Sequence, residues 1–422
     1  MPLLVADSVS LTENLGGFEF TVYWLLDSLA KNDEVFQKNF AEKTIAKIRA
    51  NDISANKGFF SSVLKIELIF HDKTRYTTIL KVPGTKSSNE IKTTDEVKKF
   101  TLEENSLADS LIIMHDTECE FYETVAHLIP QIVPKVHKSK RWIKGVHLGC
   151  LHMENLSVRG KNFSYFDALT APQFKNVINW LAYFHSKLLT TNTWQGKFTK
   201  QQKIFSEMKD MYKTGVDRSL AIAKTGKEKF RSLMNDKRVK KILYNQEFIN
   251  YAFFDSYREF KLPMLLVHSD LWSSNIMFKV DEDGDVKDEL AALLDWQCAH
   301  EGNFLFDFAR LMICSLDGDT RREMEETVFD FYVTRLNKYL IQNGGKQVTF
   351  TSADVKRTYE CMFLAHFGYG IFMFSEIFTR RKKNLGKNKL DSARMDKCTL
   401  RNIHILEDVV KLLESGKFNK WL

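Results

Sequence analysis

Several patterns that define large classes of protein are missing from this sequence. Six cysteines and eleven histidines are scattered without C-x-x-C or other metal-ligand spacing, so the sequence predicts neither a disulfide framework nor a zinc site. The 61 basic and 54 acidic residues are mixed along the chain and include no basic block, which argues against a nucleic-acid partner. The N-terminus has no basic segment followed by an apolar core, so no signal peptide is expected. Together these observations favour a cytoplasmic protein with reduced thiols.

Long apolar runs are also scarce. The most membrane-like stretch is Cys361–Phe378, but it contains His366 and Glu376. This composition favours a buried core helix, and we expect no membrane span. A chain of 422 residues exceeds what one hydrophobic core usually supports, so two lobes are predicted.

The stretch Leu265–Phe278, LLVHSDLWSSNIMF, has the spacing H-x-D-x-x-x-x-N of a kinase catalytic loop. Asp270 would accept the proton of an attacking hydroxyl, and Asn275 would hold a metal ion on the nucleotide phosphates. Two apolar runs around the Asp-Gly turn at 281–285 predict a β-hairpin, which would return Asp295 to the side of Asn275 as a second metal ligand.

HSDLWSSNIMF, LLDWQ and GNFLFDFARL resemble the choline-kinase-like and ecdysteroid-kinase-like branch of the aminoglycoside phosphotransferase superfamily, in particular its uncharacterised nematode group. The resemblance covers nearly the whole chain. It implies an α+β, bilobal, protein-kinase-like fold with a nucleotide-binding lobe at 1–155 and a mainly helical catalytic and substrate lobe at 156–422. It also implies transfer of the γ-phosphate of ATP, with magnesium, to a hydroxyl of a small molecule. One departure is Ser269, where such loops usually carry glycine.

Lys81 lies on a predicted strand, and a phosphate-clamping lysine must be fixed by a carboxylate on a neighbouring element. Glu118 on the following predicted helix fits the E-x-x-x-Y pattern of the family, and Glu120 competes with it. A solvated lysine on an edge strand is the alternative interpretation, which the downstream motif disfavours.

Other contacts to the nucleotide are less well specified. Gly58, Ser61 and Ser62 form the candidate phosphate loop, although the sequence there is no G-x-G-x-x-G and a plain turn explains it almost as well. By resemblance, Met153 and Glu154 belong to the hinge between the lobes, whose backbone would pair with adenine.

Three residues around the motif have both a structural and a functional interpretation. His268 is a candidate catalytic residue beside Asp270, but a structural role in the loop is favoured because kinases place the base two residues later. By resemblance, Asp307 would accept hydrogen bonds from the backbone of the catalytic loop. Trp272 would either stack on substrate or pack in the core.

Two alternatives to a small-molecule kinase follow from the same residues. A protein kinase is disfavoured because Asp295 is followed by Trp-Gln instead of Phe-Gly, and no A-P-E motif follows. A pseudokinase that acts as a binding or scaffold module is favoured by the glycine-poor loop and disfavoured by the retained motif residues. The acceptor is not specified by the sequence: choline-like amines, steroids and xenobiotics all fit the family. Aromatic residues, 13% of the chain, are compatible with a partly apolar acceptor cleft, and an equally good interpretation is that they only fill the core.

Overall fold

The computed structural model describes residues 4–54, 60–84, 104–200, 208–223, 225–380 and 389–422. These residues form two compact units, Met1–Arg159 and Gly160–Leu422. The smaller unit is rich in β-sheet and the larger one is mainly helical. The α+β class predicted from the sequence, with a small N-terminal and a larger helical C-terminal part, is therefore confirmed.

The smaller unit is built on a five-stranded antiparallel sheet with the strand order β1-β2-β3-β5-β4. Its strands and helices are α1 (Val22–Asn32), α2 (Glu34–Asn39), β1 (Ile45–Asp52), β2 (Ser61–Phe70), β3 (Arg75–Pro83), α3 (Glu104–Thr124), β4 (Val136–Lys140) and β5 (Cys150–Glu154).

The core of this unit follows the two periodicities in the sequence. Four residues spaced along one face of α1 are buried, and alternate residues of β2 are buried against them, as period 3.6 and period 2 require. The buried residues are Val22, Leu25, Leu26, Leu29, Leu64, Ile66, Leu68 and Phe70. Both buried faces therefore follow from the local spacing of apolar residues in the sequence.

The described residues of the larger unit form ten helices and five strands. They are β6 (Gly160–Asn162), α4 (Ala171–Leu189), α5 (Met208–Ile222), α6 (Lys227–Met234), α7 (Lys237–Leu243), α8 (Gln246–Phe254), α9 (Ser256–Glu259), β7 (Met264–Val267), β8 (Ile276–Val280), β9 (Val286–Leu293), β10 (His300–Asn303), α10 (Leu305–Ser315), α11 (Gly318–Gln342), α12 (Ser352–Arg380) and α13 (Lys389–Glu414).

Helix α4 begins at a capping box followed by a proline. Thr170 caps its first turn by accepting a hydrogen bond from the Gln173 backbone N–H, and the Gln173 side chain accepts one from the Thr170 backbone in return. Pro172 lies in the first turn. Backbone N–H groups there have no partner within the helix, so the lack of an N–H in proline costs no hydrogen bond.

Helix α12 contains the apolar run that resembles a membrane span. Ser352–Thr379 is long and apolar enough to cross a bilayer, but 78% of its most apolar window is buried inside the protein. His366 lies fully buried against Phe306, and Glu376 pairs with Arg218 of α5. These contacts agree with the predicted core helix.

Candidate functional site

The catalytic-loop motif connects β7 to β8, and an aspartate of α10 holds its first residues. The Asp307 carboxylate accepts the backbone N–H of His268 and that of Ser269, each at 2.8 Å. Asp307 is buried, and burial raises the pKa of its carboxyl group despite these two donors. The contact that the resemblance implied for Asp307 is therefore present.

Ser269 has the backbone conformation that explains why related loops carry glycine. Its φ of 70° lies in the left-handed region, which costs a residue with a Cβ about 1–2 kcal/mol. Two contacts offset this cost. The backbone N–H donates to Asp307, and the hydroxyl lies 2.5 Å from Nδ1 of the buried His300.

Asp270 follows directly and accepts hydrogen bonds from several side chains. Nδ2 of Asn275 lies 3.0 Å from its Oδ2, Nη1 of Arg310 lies 3.1 Å from its Oδ1, and the Tyr369 hydroxyl lies 3.4 Å from the same Oδ1. Burial raises the pKa of Asp270, which Arg310 opposes. The side chain nevertheless remains 21% exposed, so a ligand can reach it.

The hairpin returns Asp295 to the motif as predicted. Strand β8 pairs antiparallel with β9, with Ile276 opposite Leu293, and the Leu294 N–H donates to the Asn275 carbonyl at 2.8 Å. The Leu294 carbonyl oxygen also lies 2.8 Å from Nε2 of His268, so the next residue, Asp295, lies beside the loop, and its charge contributes to raising the pKa of Asp270. Asp295 itself has a φ of 66°, a left-handed conformation that aspartate tolerates better than most residues.

His268 has a backbone group beside each of its ring nitrogens. Nδ1 lies 3.3 Å from the Asp270 N–H, and Nε2 lies 2.8 Å from the Leu294 carbonyl oxygen. Since an N–H is needed at Nε2 and a lone pair at Nδ1, this arrangement favours the neutral ring, and burial lowers the pKa of His268 accordingly. The geometry supports a positioning role for His268 over that of a proton carrier.

A magnesium ion fits the oxygen atoms of this loop. Among the described residues no three His, Cys, Asp or Glu side chains cluster as a metal site, but magnesium in nucleotide enzymes commonly takes only one or two carboxylates beside the phosphates. Asn275 directs both Nδ2 hydrogens to Asp270, one to the backbone carbonyl at 2.8 Å and one to the carboxylate at 3.0 Å. Its amide oxygen is thereby turned away from Asp270, and it and the Asp295 carboxylate are the hard ligands that magnesium prefers.

In the smaller unit, Lys81 and Glu118 form the predicted pair. Nζ of Lys81 on β3 lies 2.6 Å from Oε2 of Glu118 on α3, and the two side chains are 13% and 2% exposed. The competing Glu120 pairs with Arg141 at 2.9 Å. The choice of Glu118 over Glu120 as the partner of Lys81 is therefore confirmed.

The other predicted nucleotide residues have varied positions. Gly58 lies outside the described residues. Ser61 and Ser62 are buried at the start of β2, where they lie opposite Pro83 and Val82 of β3.

Met153 and Glu154 end β5. The Met153 carbonyl accepts the Thr78 hydroxyl, and the Glu154 N–H donates to the Lys135 carbonyl. The pairing of the backbone at Met153 and Glu154 with adenine stays a prediction.

Sequence reasoning missed two side chains that contact Asp270, namely Arg310 and Tyr369. One local signal pointed to Arg310: it is a charged residue in the first turns of α10, every residue of which is buried. It lies three positions after Asp307, so both face the same side of the helix. No local signal marks Tyr369, which is 99 residues from Asp270. Trp272 is 8% exposed and packs edge-on against Tyr165, so of its two interpretations the structure favours packing.

The fold and the ordered motif together define a protein-kinase-like chain. A choline kinase from Cryptosporidium parvum Iowa II superposes with a TM-score of 0.50 at 11% identity, covering 94% of this chain and 97% of the other. A macrolide 2'-phosphotransferase from Brachybacterium faecium superposes with a TM-score of only 0.36 at 12% identity. That match covers 87% of this chain and 96% of the other.

The chain belongs to the DUF1679 family, whose model is described as "Uncharacterized oxidoreductase dhs-27" and matches residues 32–417. A Caenorhabditis elegans protein with that same name is 24% identical over 362 residues, or 83% of this chain. The chain spans only 41% of the length of that relative. The predicted membership of an uncharacterised nematode group with a choline-kinase-like fold is confirmed.

Proposed function

We propose that the protein is an ATP-dependent small-molecule kinase that phosphorylates a hydroxyl group. The observation that carries this proposal is the arrangement of Asp270, Asn275 and Asp295 on one loop and hairpin. The Asn275 amide donates to the Asp270 carboxylate, and the hairpin returns Asp295 to the side of Asn275. Phosphoryl transfer asks mainly for positioning and charge neutralisation, and these are the tasks that such a set performs.

In the proposed reaction, Asp270 orients the acceptor hydroxyl. The hydroxyl oxygen forms a bond to the γ-phosphorus while the bond from that phosphorus to the β–γ bridging oxygen breaks, and ADP leaves with that electron pair. The hydroxyl proton passes to the Asp270 carboxylate and from there to solvent. Magnesium, held by Asn275 and Asp295, would neutralise charge on the phosphates. Lys81, fixed by Glu118, would bind the phosphate oxygens.

The name of the nematode relative, an oxidoreductase, does not favour hydride transfer for this chain. Rossmann-type dinucleotide sites are built on parallel sheets that bind the cofactor at the carboxyl ends of the strands. All four strand pairs of the five-stranded sheet are antiparallel. More than half of the relative lies outside the match, so its name concerns a longer protein.

The test is magnesium-dependent ATP consumption across a panel of hydroxyl compounds that contains choline-like amines, steroids and xenobiotic glycosides. Release of ADP is measured with and without each compound, and phosphorylated products are identified by mass spectrometry. We expect at least one acceptor to stimulate ADP release in the wild type and not in Asp295→Ala. Binding of ATP without turnover on any acceptor would instead support a nucleotide-binding scaffold. We propose that the enzyme acts in the cytoplasm.

A further inference from the structure

Arg310 is the side chain whose position the proposed function has not yet explained. It lies on α10, its side chain is only 4% exposed, and its Nη1 donates to Oδ1 of Asp270 at 3.1 Å. Its guanidinium also stacks on the ring of Tyr369 from α12, with Cζ 3.2 Å from the ring centroid. The Tyr369 hydroxyl reaches back to the same Oδ1 of Asp270 at 3.4 Å. Two helices therefore converge on one oxygen of the candidate base.

This arrangement is a poor device for stability alone. A buried guanidinium has a desolvation cost of several kcal/mol, and replacing buried ion pairs with apolar groups is often neutral or stabilising. Moreover, the Nε of Arg310 is buried without a hydrogen-bond partner among the described residues. An unsatisfied buried N–H typically costs about 1–3 kcal/mol. A purely structural residue at this position would be better as methionine or leucine.

We propose that Arg310 is a positioning residue for the phosphoryl-transfer step, one that holds Oδ1 and thereby fixes the orientation of the Asp270 carboxylate toward the acceptor hydroxyl. The inference rests on the proposed function and deepens it. Oδ1 is held by Arg310 and Tyr369, and Oδ2 receives Asn275, so the carboxylate is fixed from both sides. The planar guanidinium holds this geometry better than a lysine ammonium because it both donates in a fixed direction and stacks on the tyrosine ring.

The experiment measures kcat and KM for magnesium ATP with the best acceptor from the panel. For Arg310→Met we expect kcat to fall by about 10²-fold, the lower end of the effect of a positioned proton acceptor, with the KM for ATP changed less than threefold. Arg310→Lys should recover part of the loss. Tyr369→Phe, which keeps the stacked ring and removes the distant hydroxyl, should lower kcat less than threefold.

Arg321→Met is the matched control. Arg321 is also a buried arginine over an aromatic ring, Phe363, but it pairs with Glu325 of its own helix and with Asp408 of α13 instead of with Asp270. We expect this variant to lower the melting temperature without lowering kcat. If Arg310→Met retained kcat within threefold, or if it and Arg321→Met lost kcat only in proportion to lost folded protein, the positioning role would be wrong. A wild type that turns over no acceptor would overturn the proposed function itself, which is a distinguishable result.

Discussion

At the scale of single residues, the candidate base is defined by its neighbours more than by its own type. The Asp270 carboxylate accepts hydrogen bonds from Asn275, Arg310 and Tyr369. Such a set keeps a carboxylate charged and aimed even where burial raises its pKa. An acceptor hydroxyl needs a carboxylate of this kind in order to be oriented before it attacks.

Asp270→Asn tests this assignment directly. The substitution preserves the size of the side chain and removes its ability to accept a proton, so turnover should fall by roughly 10²-fold or more. ATP binding should be almost unchanged, because Asp270 is not assigned to the nucleotide. Steady-state kinetics on an identified acceptor provide the measurement, and near-normal turnover would remove Asp270 from the mechanism.

Ser269 offers a test of backbone conformation. Because its φ is 70°, Ser269→Ala keeps the strain and loses the hydroxyl contact to His300, and it should lower the free energy of unfolding by about 1–2 kcal/mol. Ser269→Gly loses the same contact but relieves the strain, so it should be more stable than the alanine variant. Urea denaturation of the two variants decides the point, since alanine is the more stable of the two wherever φ is negative.

At the scale of secondary-structure elements, β3 and α3 are joined by the ion pair of Lys81 and Glu118. The two side chains are well buried, and their charged atoms lie 2.6 Å apart. Removing one partner leaves the other charge without compensation, which is the case in which a buried pair matters most. The two residues should therefore behave as one unit, which under the proposed function would present the lysine to the nucleotide.

Lys81→Met, Glu118→Gln and the double variant form the corresponding cycle. Each single variant should weaken ATP binding or turnover to a similar extent, and the double variant should be only slightly worse than either. Arg141→Met, which breaks the neighbouring pair with Glu120, serves as the control and should leave both quantities nearly unchanged. Losses that add across the double variant would show that the two residues act independently.

At the scale of the whole molecule, binding of magnesium ATP should be visible as thermal stabilisation before any acceptor is known. A ligand at a hundredfold Kd stabilises the folded state by about 2.7 kcal/mol, which raises the melting temperature of a protein of this size by roughly a few degrees. ATP with magnesium should stabilise the wild type more than ATP with a chelator. Asp295→Ala should abolish that difference, while no magnesium-dependent shift in the wild type would count against the kinase assignment.

The pH dependence of stability follows from buried neutral histidines. Burial lowers the pKa of His185 to about 3, while its Nδ1 lies 2.8 Å from the Tyr332 hydroxyl. Below pH 6.5 the unfolded chain binds a proton at this residue that the folded chain does not bind until about pH 3, so stability falls as the pH falls through this window.

Between pH 6.5 and pH 5, His185 alone should therefore remove about 2 kcal/mol from the free energy of unfolding. Urea denaturation at several pH values measures the effect. His185→Gln should show a shallower slope with pH than the wild type, and an unchanged slope would mean that the imidazole is not neutral in the folded protein.

The sequence by itself determined the parts of the protein that depend on local spacing. Period 3.6 gave the buried face of α1, and period 2 gave the inward residues of β2, because each follows from backbone geometry within a few residues. The catalytic loop, its hairpin and the return of Asp295 are equally local, since an Asp-Gly turn fixes the pairing of the strands beside it.

The tertiary structure alone decided which distant side chains meet. Arg310 and Tyr369 lie 40 and 99 positions from Asp270 along the chain. Arg141, which follows β4, pairs with Glu120 of α3, a contact that depends on β4 lying beside α3. Such contacts depend on how helices and strands pack, and packing is set by the summed burial of many apolar side chains. No spacing along the chain encodes that sum, so the surroundings of the candidate base emerge only when the whole unit is folded.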